Sequence, residues 1–174
     1  MIKGHFIGEK ILKESGIPYT IFGLTMVMDM IPRYSNNGKP FIMGNQPHGW
    51  SWIYSADLAK MVSKAFLLDE AKNKKFTVFG PEKVTIPEAV NRFNSVFYPE
   101  AKPAKPTPYW VMNLLALFIG KKLRYPISIF KYFEDHPEEG NPDEADKLLG
   151  KSQTGLNEYF KIYKAGRMPH NAKG

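Results

Sequence analysis

The 174-residue sequence predicts an α/β protein in which a parallel sheet is followed by an appended helical subdomain. Three observations carry this. Residues 9–22 read as a helix, a hard stop and a buried strand, half of the crossover from which parallel sheets are built. Residues 50–97 repeat strand, helix, strand, helix. At Tyr98 the composition turns proline-rich, and the apolar spacing beyond it is helical throughout. The expected division is an α/β part over residues 1–97 and a helical part over 98–174.

In chain order, Ile7, Ile11 and Leu12 give the first helix one apolar face. Glu9/Lys13 and Lys10/Glu14 are opposite charges one turn apart, and Gly16 with Pro18 ends the helix. Residues 19–22 are aromatic and β-branched, as a buried strand requires. This helix and strand need further strands beside them, so the chain is expected to be the back part of a larger α/β protein or to borrow a sheet from a partner. Residues 26–31 form a Met-rich stretch interrupted only by Asp29 and closed by Pro32. Asn36-Asn37-Gly38 marks a turn, 40–44 a short strand, and 45–49 another turn.

Trp50, Trp52 and Tyr54 alternate with Ser51 and Ile53, which predicts a half-buried strand with three aromatics on one face. Ser55 is placed to cap a helix whose Leu58, Met61, Val62, Ala65 and Phe66 share one side. Residues 75–79 form a strand ended by Gly80-Pro81. Thr85-Ile86-Pro87-Glu88 reads as a capping box opening a helix with Val90, Phe93 and Phe97 inward. Beyond the connector, helices are expected over 108–119, 127–134, from Asn141-Pro142-Asp143-Glu144 to Gly150, and over 154–164.

The net charge of +7 reads as a solvated face rather than a nucleic-acid site, because no recognition motif accompanies it. The absence of cysteine excludes disulfides and thiol catalysis. No apolar run approaches the roughly 20 residues of a membrane span. The expectation is a soluble, cytoplasmic protein without nucleic-acid partners.

Several stretches in order, EKILKESGIPYTIF…MVMDMIP, residues 52–59, 76–82, and 138–142 through Leu148-Leu149-Gly150, resemble the NmrA-like atypical short-chain dehydrogenase/reductases. Together they span nearly the whole chain. The resemblance implies the C-terminal part of a Rossmann-type parallel sheet and NAD(P) as cofactor of the complete protein. It implies Phe22, Gly23, Leu24 and Thr25 as the cofactor-binding positions, although Gly23-Leu24 stands where the family has Arg-Pro. It also places His5 where a family lysine faces the nicotinamide ribose, which makes His5 the catalytic candidate through its near-neutral titration.

A dinucleotide site needs a glycine-rich turn between strand and helix, and no G-x-G-x-x-G occurs in this sequence. This chain is therefore expected to bind no cofactor tightly and to be inactive alone. The family's Tyr-x-x-x-Lys has one literal match, Tyr98 to Lys102, but Pro99 and Pro103 oppose the helical turn that would align the pair. Trp50, Trp52 and Tyr54 are the candidates for a substrate pocket, with strand packing as the alternative. Asp57 is explained by the helix dipole, and Glu134, Asp135, Glu138 and Glu139 by a solvated loop. His48, His136 and His170 have no spaced partners, so no metal site is expected. The reading is an NAD(P)-binding oxidoreductase-like protein lacking its nucleotide-binding half, acting on a small molecule. It is completed by a homo-oligomer or by that half. The alternative is a non-enzymatic interaction module or a dinucleotide sensor fragment.

Overall fold

The computed structural model describes residues 2–120 and 123–166, with only the backbone of residues 2–6 and 119. Helix α1 (Ile2–Glu14) has two exposed ion pairs, Lys10–Glu14 at 3.8 Å and Lys13–Glu9 at 3.9 Å. Ser15 Oγ donates to Leu12 O at 2.7 Å as the helix ends, and Gly16 then takes a left-handed φ of +73°. Strand β1 (Thr20–Gly23) begins one residue later than the sequence suggests.

Met28–Tyr34 tighten into a 3-10 segment that buries Met28 and Ile31. β2 (Ser35–Asn36) and β3 (Lys39–Pro40) then form a hairpin. Asn37 and Gly38 between them have φ of +49° and +79°, the pattern of a turn that matches strand twist. β4 (Gly49–Ser51), α2 (Ser55–Ala65), β5 (Lys74–Thr77), β6 (Lys83–Thr85) and α3 (Ile86–Phe97) follow. β1 runs parallel to β5, with Thr20 opposite Lys74 and Gly23 opposite Thr77. α2 lies in the connection between them, so the expected crossover is present. β4 pairs antiparallel with β6.

Local signals are met in part. Thr85 caps α3 by accepting from Glu88 N at 3.2 Å, while the Glu88 side chain reaches forward to Arg92 instead of closing the box. Ser55 is not a cap. It is the first residue of α2, Tyr54 holds the cap position without a side-chain bond, and the Ser55 N–H donates to Asp29 Oδ2 at 3.3 Å.

The strand at 50–54 differs more. Trp50, Ser51, Trp52 and Ile53 are all buried, so both of its faces are covered. Trp50 and Trp52 enter one core with Met26, Ile31, Val90, Phe93, Leu156 and Phe160. Ile53 enters a second with Met61, Phe76, Val78, Ala145 and Leu149. The polar-looking alternation hides a strand that separates two cores.

The connector is held by backbone pairing of Thr107 with Ile42 and Gly44, at 2.8 and 3.0 Å. After it come α4 (Tyr109–Ile119), α5 (Arg124–Asp135), α6 (Asp143–Leu149) and α7 (Leu156–Lys164). α6 packs on α2 and β5, and α7 on α3. Both cores therefore draw residues from either side of residue 98.

Candidate functional site

In open α/β sheets the crevice beyond the carboxyl ends of parallel strands is the usual ligand position. Here that edge is formed by the ends of β1 and β5. The Phe22 ring sits 6.2 Å from that of Phe76, and Gly23 O accepts from Val78 N at 2.9 Å. Leu24 is half-buried against the second core, and Thr25 is exposed. The chain then runs beside Ile53, with Met28 N donating to Ile53 O at 2.9 Å and Ile53 N to Met26 O at 3.0 Å. Tyr54, Ser55 and residues 22–25 thus share one edge. The loop before α6 crosses it. Gly140, at φ +123°, lies so close to Thr77 that an added Cβ would come within 2.9 Å of its Cγ2.

Beneath this edge is a polar pair that the sequence did not suggest. Asp29 Oδ2 accepts from Ser55 N, while Asp29 Oδ1 and the Tyr159 hydroxyl are buried with no hydrogen-bond partner among the described residues. Burial, and then the charge of Asp29, push the Tyr159 phenol far above its ordinary value. Tyr159 therefore stays protonated and can donate a hydrogen bond, while burial and Asp29 both oppose release of its proton. The available signal was Asp29 as the lone charge in an apolar run.

Three carboxylates lock the last two helices onto the sheet. Asp57, only 7% exposed, accepts from Ser152 Oγ at 3.1 Å, Gln153 N at 3.1 Å, Thr154 N at 2.9 Å and Lys60 Nζ at 3.1 Å. Burial raises its pKa, but the bonds from Thr154, Lys60 and Gln153 outweigh burial and hold it well below the usual carboxylate range. Glu82 accepts from Leu156 N at 2.6 Å, capping α7, and from Arg92 at 3.0 Å. Glu138 is not solvated as the loop pattern suggested: its side chain is 1% exposed and accepts from Ser51 N at 2.8 Å. Glu134 accepts from Asn45 N at 3.2 Å, and Asp135 and Glu139 are exposed.

Of the aromatic pocket candidates, Trp50 is 2% and Trp52 0% exposed. The Trp52 indole donates to Val84 O at 3.1 Å, and the Trp50 ring lies 5.1 Å from Phe133. Tyr54 is half-buried, 5.6 Å from the Tyr159 ring. The backbone of His5 lies in α1, and its side chain is outside the described residues. Tyr98 and Lys102 are not aligned by a helix. With Lys39, Lys105 and Phe97 they line an open cleft of about 820 Å³ between the β2–β3 hairpin and the connector.

The residues at the sheet edge do not by themselves make a pyrophosphate seat. α1 leads into β1 through a left-handed glycine and a proline. The Gly23 carbonyl is already bonded, and a Cβ built at Gly23 meets only ordinary contacts at 3.6 Å, so no close-approach cradle exists there. Residues 22–25 can form one wall of such a site.

No family model matches the chain. Its sequence is similar to the photosystem II assembly factor Ycf39 of Trieres chinensis, 27% identical over 116 residues, covering 64% of this chain and 36% of that protein. Its structure is similar to triphenylmethane reductase of Citrobacter sp. in complex with NADP(H). The TM-score is 0.69 at 17% identity, over 90% of this chain and 57% of that one. An NADPH-dependent quinone oxidoreductase from Escherichia coli gives a TM-score of 0.70 at 14% identity, over 93% and 61%. The fold is thus the Rossmann-type fold of NAD(P)-dependent reductases that the resemblance implied. The chain spans a little over half the length of these two enzymes.

Proposed function

We propose that this chain is the substrate-side portion of an NAD(P)-binding oxidoreductase-like protein acting on a small molecule. Residues 22–25 form the wall that meets the cofactor, and the phosphate-binding turn comes from a portion of the protein outside this sequence. One observation carries the reading: residues 22–25 leave the carboxyl end of a parallel strand pair, in a fold shared with a reductase solved with NADP(H). The division at residue 98 belongs to the same proposal, with 1–97 as the cofactor side and 98–174 as the substrate side. In the assembled protein His5 is the proposed proton carrier.

The place for the missing portion is the free edge of β1, which pairs only with β5 among the described residues. A cleft of about 290 Å³ lined by Pro18, Tyr19, Phe22, Val62 and Ala65 lies beside it. Phe66 and Leu67, 87% and 84% exposed, stand near that cleft. An uncharged, open strand edge of this kind is one that proteins cover.

Calorimetric titration of the chain with NADH and NADPH tests the division. Heat of binding should be absent at micromolar concentration. Low-micromolar affinity, equivalent to about −8 kcal/mol, would show that the phosphate seat is within this chain. Light scattering over a dilution series tests the open edge, for which association is expected. A monodisperse monomer with one sharp melt at every concentration would end the claim that β1 needs a partner.

A further inference from the structure

Helix α4 is inverted relative to an ordinary surface helix, which turns its apolar stripe inward and its charges outward. Trp110, Leu114, Leu117 and Phe118, at i, i+4, i+7 and i+8, form its outer stripe. They are 70%, 51%, 76% and 82% exposed, whereas Met112 on the inner side is 2% exposed. None of the eleven residues of α4 is charged.

The sequence that flanks it is one-sided in charge. Between Glu100 and Glu134 the sequence has no acidic residue and six basic ones, Lys102, Lys105, Lys121, Lys122, Arg124 and Lys131. That single stretch supplies all but one unit of the net charge of +7, so the charge is concentrated rather than spread. Lys131 pairs with Asp135 at 3.2 Å, and Glu134 is engaged by Asn45 N. Lys121 and Lys122 lie outside the described residues.

Size and composition select the occupant. The stripe from 110 to 118 is about 12 Å long at 1.5 Å per residue. Four side chains over that length fall well short of the roughly 800 Å² per partner of a stable protein interface. A bilayer surface needs no such area. It takes an apolar ridge with aromatic residues and cations, and Trp110, 70% exposed, supplies an aromatic ring at the start of this one. No helix among the described residues is long and apolar enough to cross a membrane.

We propose that α4 is an interfacial membrane anchor. The ridge of Trp110, Leu114, Leu117 and Phe118 enters the headgroup–acyl boundary of a bilayer, and the basic residues that flank α4 in the sequence meet anionic headgroups. The partner is a lipid surface bearing negative charge.

Co-sedimentation of the full chain with vesicles tests this, using phosphatidylcholine alone and an equimolar mixture with phosphatidylglycerol. Binding should favour the anionic vesicles by roughly tenfold or more and weaken with added salt. The double variant Leu117→Glu/Phe118→Glu should lose binding roughly tenfold or more while keeping its melting temperature, since both positions are exposed. Anionic vesicles should also shift the Trp110 emission to the blue, and Trp110→Phe should remove the shift, because Trp50 and Trp52 are already buried. This second readout decides the matter if the double variant does not fold. Absent binding to anionic vesicles, an absent emission shift, or unchanged binding by a folded double variant would each overturn the proposal. So would lipid-free self-association that the double variant abolishes, which would make a second copy the occupant.

Discussion

Two segments of the second half of the chain meet the same core in opposite ways. Residues 138–160 are tied in by side chains of the sheet region: Asp57 holds 152–154, Glu82 caps α7, and Glu138 reaches back to Ser51. Helix α4 touches the core through Met112 and leaves its larger apolar side in solvent. The first segment has its backbone donors satisfied by buried carboxylates, so its position is fixed by geometry. The second is tied only at its first residue, where the Tyr109 hydroxyl accepts from Gln46 Nε2 at 3.3 Å; beyond that it rests on intrahelical bonds and apolar contact, which leaves its outer face available. Hydrophobic content alone would rank the two the wrong way round: the uncharged helix is the more exposed one.

The sharpest way to break this contrast is at Asp57. Asp57→Ala leaves the donors of Ser152 and Thr154 buried without an acceptor and releases that of Gln153. The expected loss is about 3 kcal/mol, or roughly 10 °C in melting temperature for a chain of this size. Thermal or urea denaturation measures it, and a loss below about 1 kcal/mol would show that the clamp is decorative. The pH dependence has a defined sign. Because the folded-state pKa is depressed, the stabilisation is fully present above the unfolded carboxylate value near 4 and disappears as pH falls through the lower folded value. Melting temperature should drop below about pH 4, and Asp57→Asn should flatten that slope at a lower plateau.

Asp57 also shows where the sequence stops being informative. Its place in a first helical turn was visible and explained by the dipole, but its partners lie 95 to 97 residues away and leave no local mark. Glu138 failed for the same reason: among three other acids it looks solvated, and only the fold brings Ser51 N to it. Signals that act within one turn were legible, as the Thr85 cap, the Gly16 stop and the turn at Asn37-Gly38 show, although the two short strands that the turn joins were not foreseen. The strand expected at 50–54 is present only as β4 (Gly49–Ser51) with a bridge at Ile53, and it was given one face because Ser51 reads as polar while the fold buries it. At the sheet edge, the fold expected from the resemblance is present. The burial of Asp29 near Tyr159 required α7 to be placed first.

A middle-sized effect sharpens the comparison within the clamp. Glu82→Gln keeps an acceptor for Leu156 N and loses the ion pair with Arg92, whereas Glu82→Ala loses both. The expected costs are about 0.5 kcal/mol and 1.5 kcal/mol. Thr85→Ala, which removes a single capping bond, should cost about 1 kcal/mol. If Gln proved as damaging as Ala, the ion pair rather than the cap would be holding α7. Denaturant midpoints at constant slope distinguish these outcomes.

The smallest expected effect lies on α4 and completes the contrast. Phe118→Ser removes a large apolar side chain, yet at 82% exposure it takes almost nothing out of the core. Stability should change by no more than about 0.5 kcal/mol. Met112→Ala, six residues earlier on the inner side, removes a side chain that is 2% exposed and should cost about 2 kcal/mol or more through the cavity it leaves. Two apolar truncations on one helix should therefore differ severalfold, with the bulkier residue mattering less. If Phe118→Ser were as destabilising as Met112→Ala in the dilute, lipid-free chain, the ridge would be covered in solution, and α4 would belong with the clamped segment rather than opposite it.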